Sequence, residues 1–370
     1  MIKFCIEPFD VLFFGGGKPF NIGSVVQSIE FPFPHTFAGA ISSIFQDLPG
    51  INENKILKNV YGPFLIKGET LYFPFPASIV KSKNNNTFHC LSILDENKQI
   101  LVKSNYTNKI YEPKINESCL FYKGPDEVEN FNGFLSLKGL EKWLENEDID
   151  SSYVAHYSEI FEKEGRIGIK IDNQTNTVKD DDALYRIVFS RLKNGWKFVF
   201  FVEFDFDNKN NSNIKRRFED ENELVEYLRK VGVIKLGGEM RTASFNVELE
   251  NFKDYFEQKI ELKKDNIYRI LFLTYFTLDE NSSFDYLSCE NNNNFDIIAV
   301  ASRGLCNLAI NSKALQLTNF TKRTKRALKP GSVFYVKPKQ DCIIDVVTFF
   351  NKPKNFIGSN LGIIAKEGGN

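Results

Sequence analysis

Two glycine-punctuated loops, each set between regular elements, constrain this chain most. The first, Phe14-Gly15-Gly16-Gly17-Lys18-Pro19-Phe20-Asn21-Ile22-Gly23, follows a buried-strand pattern over residues 2–13. The second, Lys235-Leu236-Gly237-Gly238-Glu239-Met240-Arg241, comes straight after an amphipathic helix pattern over Glu221–Val231, in which Leu224, Val225, Tyr227 and Leu228 share a face. Glycine permits positive φ and close approach to the main chain, so clustered N–H groups beside Lys18 or Arg241 suit a phosphate. The same sequences also suit tight turns.

At 370 residues the chain exceeds one typical domain, so two are expected. Its 36 Phe and 14 Tyr favour a sheet-rich protein, because aromatic side chains fit a pleated, half-buried surface. The formal net charge of −1 argues against a globally basic nucleic-acid binder, but the local field decides binding. Between Asp296 and Asp341 no acidic residue occurs, while Arg303, Lys313, Lys322, Arg323, Lys325, Arg326, Lys329, Lys337 and Lys339 do. Acid gathers instead in Asp180-Asp181-Asp182 and in Glu219-Asp220-Glu221 with Glu223. Charge runs of either sign also suit a solvated face.

Cys5, Cys90, Cys119, Cys289, Cys306 and Cys342 include no C-x-x-C pair and no zinc-finger spacing, so buried free thiols in a reducing compartment are expected. The first residues run directly into a strand pattern without the parts of a signal peptide. The apolar run around Ile270-Leu271-Phe272-Leu273 is too short to cross a bilayer. A soluble, cytoplasmic protein without cofactor or metal is the expectation.

Pro32 and Pro34 hold the chain extended before a helical stripe of Phe37, Ala40, Ile41 and Ile44, with Thr36 as the expected N-cap. Residues 81–130 are Asn- and Lys-rich and read as an insertion. A short helix is expected at Leu137–Leu144, a long hairpin or thumb over about residues 164–187, and a strand at Gly195–Phe204. The first 255 residues follow a β-α-β-β-α-β order, the ferredoxin-like plan. A smaller strand-rich unit occupies residues 256–370, with the polar stretch 250–265 as the junction.

Several blocks then recur in a recognisable order. They are Gly17-Lys18-Pro19-Phe20-Asn21, Phe31-Pro32-x-Pro34-x-Thr36-x-Ala38-Gly39-Ala40, Gly62-Pro63-Phe64, Tyr72-Phe73-Pro74-x-Pro76, Arg166-Ile167-Gly168-Ile169, Leu236-Gly237-Gly238-Glu239 and Lys329-Pro330-Gly331-Ser332-Val333-Phe334-Tyr335. This set resembles the RAMP superfamily of CRISPR proteins, and within it the Cmr-type subunit at the foot of the type III-B effector complex, over about residues 6–363. The family's C-terminal loop is usually richer in Gly and carries Arg, where this chain has Gly358-Ser359-Asn360-Leu361-Gly362.

The resemblance implies an α+β fold of two fused ferredoxin-like, RRM-related domains with insertions and a protruding hairpin thumb. It implies a non-catalytic subunit that holds the 5′ handle of the crRNA between a large polymerase/cyclase-like subunit and a backbone RAMP subunit. By matching position, Gly15, Gly16, Gly17, Lys18, Asn21 and the Thr36 helix start would meet the handle, as would Gly237, Gly238 and Arg241 from the second loop; His35, which departs from the family's usual Pro-Ser-Thr entry, lies beside that helix start and is counted with the RNA-binding residues. Arg166 would meet phosphate while Ile167 and Ile169 wedge beside a base, although ordinary hairpin packing also suits that pair. Lys325 and Arg326 would add contacts from the basic run.

Some relatives cut precursor RNA with a histidine, so a metal-independent endoribonuclease using His35 is the alternative. Gly15-Gly16-Gly17-Lys18-Pro19 lacks the Walker A spacing and its hydroxyl, which argues against NTP hydrolysis. Asp180-Asp181-Asp182 reads as a solvated thumb tip, because consecutive residues on a turn rarely converge on one ion.

Overall fold

The computed structural model describes the chain apart from residues 17–24, 52–55, 95–101, 104–109, 112–118, 123, 170, 172–173, 176, 179–183, 207–213, 279–286, 289–293, 311–322, 353–355 and 369–370. The fold is α+β and sheet-rich. Its largest sheet has eight strands, in the order Val154–His156, Gly133–Ser136, Thr70–Pro74, Leu57–Lys67, Trp196–Phe204, Ile2–Pro8, Thr242–Leu249 and Val233–Lys235. Each of the four central strands is antiparallel to its neighbours, and in chain order they stand second, third, first, fourth.

Trp196–Phe204 reads as an almost unbroken apolar run because it is buried on both faces. Phe198, Phe200, Val202 and Phe204 point into a core with helices Pro34–Ser43 and Glu221–Val231. Val199 and Phe201 point the other way, against residues of a second sheet. That sheet has six strands, Leu287–Ser288, Asn294–Ala301, Val333–Pro338, Tyr268–Phe272, Leu361–Lys366 and Val347–Phe349. Its Leu271, Val333, Tyr335 and Ile363 complete the shared core, while Ile270, Phe272, Phe334 and Ile364 face a third cluster closed by Phe276, Leu278, Phe295 and Phe350.

The four middle strands of this second sheet repeat the order second, third, first, fourth. Between Tyr268 and Lys366, however, the described residues contain no helix, and the described residues placed over the outer face, Leu262, Phe276, Leu278 and Phe350 among them, come from strands and connecting segments. The stretch 250–265, polar by composition, carries two core anchors. Phe252 is fully buried, stacked on Phe64 at 4.9 Å and packed against Phe201 at 5.2 Å, and Phe256 lies beside it.

Both short helices expected from pattern form as Leu137–Leu144 and Glu221–Val231. Asp220 caps the latter by accepting from the Asn222 and Glu223 amides, and Gly232 ends it in the left-handed region at φ 61°. The first helix starts earlier than expected. Pro34 takes the first helical position, where its missing N–H costs nothing, and holds Phe33 extended as N-cap; Thr36 therefore lies inside the first turn. Cys5, Cys306 and Cys342 are half-buried free thiols, but Cys90 is exposed, against the expectation of uniform burial. No helix of the described residues is long and apolar enough to cross a membrane.

Arg303, read as part of the basic run, is a tie between the halves. Its Nε and one terminal nitrogen donate to the Phe75 carbonyl at 3.1 and 2.9 Å, and its other terminal nitrogen donates to the Phe131 carbonyl. Burial pulls its pKa down to about 10, still far above neutrality, so it stays charged. Arg303→Ala leaves these carbonyls short of a donor and is expected to cost about 3 kcal/mol, read as a lower midpoint in chemical denaturation.

Candidate nucleic-acid interface

The topology explains why the two glycine loops meet. Strand Ile2–Pro8 runs antiparallel to Thr242–Leu249, with Pro8 opposite Ala243, so the exit of the first strand and the entry of the last share one end of the sheet. The described start of the first loop, after Phe13 and Phe14, therefore lies beside the second. Gly238 donates its amide to the Phe13 carbonyl at 2.8 Å, and Leu236 donates to the Arg241 carbonyl, closing the second loop as a turn. Gly237 has φ +82°, and a Cβ there would stand 2.6 Å from the Phe13 oxygen, so both conformation and space exclude a side chain.

A hairpin of strands Phe161–Ile169 and Leu184–Leu192 rises from the same place. Leu12 and Ser190 exchange two backbone hydrogen bonds at its root, and Val25–Gln27 adds a third strand parallel to Arg186–Val188. The period of two divides the hairpin chemically. Glu164 and Arg166, with their partners Phe189 and Ile187, face the glycine loops, where Val11, Phe13 and Tyr185 pack against Ile187 and Phe189. Ile167 and Ile169 face outward with Leu184 and Val25; Ile167 is 75% exposed, so packing within the hairpin does not cover it.

On the inner face three arginines close on one carboxylate. Asp10 Oδ2 accepts from Arg166 at 3.0 Å and from Arg241 at 3.2 Å, and Oδ1 accepts from Arg191 at 2.8 Å. Glu164 also accepts from Arg166 at 2.7 Å and from Arg191 at 2.6 Å. Phe189 lies beneath, its ring centre 5.3 Å from the Arg166 guanidinium carbon and 4.8 Å from that of Arg241. For Asp10, desolvation pushes the carboxyl up, but hydrogen bonds from the Val11 amide, Arg166 and Arg191 outweigh it and leave the carboxyl below its ordinary value. Glu164 is held low by Arg191 and then by Arg166.

The structure thus brings together Gly15, Gly16, Arg166, Gly237, Gly238 and Arg241; Gly17, Lys18 and Asn21 lie outside the described residues, as does Asp180-Asp181-Asp182. Asp10, Glu164, Phe189 and Arg191 belong to the cluster but escape a sequence reading. Glu164-x-Arg166 carries a period-two signal, whereas nothing distinguishes Asp10 or Arg191 from surface charge. His35 stacks on Phe33 at 5.2 Å and meets Phe356 edge-on at 6.0 Å, in an aromatic packing position, with Thr36 beside it. Lys325 and Arg326 lie on strand Arg323–Leu328, paired with Leu308 and Asn307, so alternation turns them to opposite faces of one sheet. The loop Gly358–Leu361 is internal: a Cβ on Gly358 would meet Pro34 and the Val60 carbonyl within 2.8 Å, and Asn360 is fully buried. Among the described residues no group of His, Cys, Asp or Glu has the geometry to hold a metal.

The family model described as CRISPR-associated protein (Cas_Cmr3) matches residues 4–367. The chain belongs to this family and is a Cmr-type CRISPR-associated protein. No curated protein matches it. Among solved structures, a chain of the Type III-B Cmr-beta bound to cognate target RNA aligns with a TM-score of 0.49 at 17% identity, covering 90% of this chain and 86% of that one. A chain of the same assembly with target RNA and AMPPnP gives 0.47 at 16% identity, over 90% and 86%. A chain of the Csm3-Csm4 subcomplex of the type III-A CRISPR-Cas interference complex gives 0.45 at 13%, over 98% and 99%.

Gly237→Ala is expected to destabilise the chain by about 1–3 kcal/mol, measured by urea denaturation. The cluster also has a pH signature. Carboxyls depressed in the folded state contribute stability that is fully present above their ordinary values of about 4 and is lost as pH falls through the depressed ones. Hydrogen exchange at the hairpin root should therefore be constant from about pH 8 down to about pH 5, after correction for intrinsic rates, and rise only below about pH 4.

Proposed function

We propose that this chain is the RNA-binding, non-catalytic subunit of a type III-B CRISPR effector complex that holds the 5′ handle of the crRNA. The observation that carries the reading is the convergence of two glycine loops and three arginines at the root of an exposed hairpin. Main-chain N–H groups and guanidinium forks together suit a phosphodiester backbone, while the outward Ile167 and Ile169 suit an unstacked base. Membership of the Cas_Cmr3 family supports the CRISPR context. On this reading both sheets are ferredoxin-like units, and the chain works in the cytoplasm beside a polymerase/cyclase-like subunit and a backbone RAMP subunit.

His35 as a nuclease base finds no special support. Its ring lies between Phe33 and Phe356, a packing role that explains the residue without proton transfer. The test incubates the purified chain, His35→Ala and Arg241→Ala with end-labelled repeat-containing CRISPR RNA, scoring binding and cleavage together. Wild type and His35→Ala should bind alike and cut nothing, with affinity falling steeply as salt rises. Arg241→Ala should weaken binding about tenfold and reduce the salt slope by about one. Specific cleavage abolished by His35→Ala would instead make the chain a processing endonuclease.

A further inference from the structure

Asp10 and Glu164 sit in the middle of the cluster that the proposed function assigns to a polyanion. Two carboxylates there are unfavourable for RNA binding by charge alone. Their geometry, however, is that of a clamp. Asp10 lies just after the first strand, Glu164 and Arg166 on one strand of the hairpin, Arg191 on the other, and Arg241 at the end of the second glycine loop. The Asp10 Oδ2 atom alone bridges Arg166 to Arg241, and so ties hairpin to loop. Glu164 ties Arg166 to Arg191 across the hairpin.

Without the two acids, three guanidinium groups gathered at one point, two of them against the Phe189 ring, would repel one another and lose their fixed directions. The acids neutralise two of the three positive charges, leaving a net surplus of one. They engage Nε and one terminal nitrogen of Arg166 and of Arg191, and one terminal nitrogen of Arg241, fewer than the five donors each guanidinium carries. The buried Arg241 Nε–H has no hydrogen-bond partner among the described residues.

We infer that Asp10 and Glu164 are positioning residues for RNA binding: they aim the Arg166, Arg191 and Arg241 forks at the backbone phosphates and fix the hairpin against the glycine loops. This rests on the RNA-binding reading above and adds Arg191 to the phosphate-facing set. It makes a claim about sign. Removing a negative charge beside an RNA site strengthens binding if charge is all that matters. Removing a positioning carboxylate weakens it, because the arginines must then be ordered at the expense of binding.

The experiment measures binding of repeat-containing CRISPR RNA to the full chain, to Asp10→Asn and to Glu164→Gln across a salt series, with unfolding midpoints recorded for each. Each variant carries one more net positive charge than wild type. The expected result is an affinity about tenfold weaker for Asp10→Asn and about threefold weaker for Glu164→Gln, with a salt slope shallower by about one phosphate. Equal or tighter binding with an unchanged slope, from a folded variant, overturns the inference. Should Asp10→Asn fail to fold, Glu164→Gln decides the matter alone. A wild-type chain that does not bind the RNA overturns the functional reading itself, and with it this inference; a wild type that binds while both variants bind tighter overturns only the positioning role.

Discussion

The fold depends on a single strand having no solvent-facing side. Trp196–Phe204 lies at the centre of the large sheet, and alternate residues feed two different cores. Each buried Phe contributes on the order of 1.5–3 kcal/mol, so a strand with four of them, Phe198, Phe200, Phe201 and Phe204, is a large part of what binds helices, first sheet and second sheet together. Phe252 then links the layers, packing on Phe64 and Phe201 from the segment that connects the halves. The two sheets consequently share a core instead of meeting through a polar linker.

The site follows from that arrangement. Because the fourth strand of the central set lies beside the first, the loop leaving one and the loop entering the other meet at one sheet end. The hairpin root is then sewn to Leu12, immediately before the first loop. Nothing in this placement needs the glycine loops to recognise each other directly beyond the Gly238 to Phe13 hydrogen bond; the sheet carries them there.

How much of this was legible beforehand depended on the range of the signal. Periodicity is local, and helices Leu137–Leu144 and Glu221–Val231 were readable from it, as was the central strand. The first helix was misplaced by three residues because the fixed φ of Pro34 outweighed the capping preference of Thr36. Arg303 was mistaken for surface charge, since its carbonyl partners Phe75 and Phe131 lie more than 170 residues away. Asp10 and Arg191 were invisible for the same reason: an ion pair between residues 181 apart leaves no pattern in either neighbourhood. Lys325 and Arg326 looked like a pair because they adjoin, yet adjacency on a strand means opposite faces.

The hairpin separates its chemistry by parity alone. Even-numbered Glu164 and Arg166 face the loops and odd-numbered Ile167 and Ile169 face outward. Its length between the Leu12 anchor and the tip is therefore a coded quantity. A one-residue deletion ahead of Glu164 would turn the strand inside out, setting isoleucines against the loops and the arginine outward. Substitutions on this strand act one side chain at a time, whereas a change of length exchanges both faces at once.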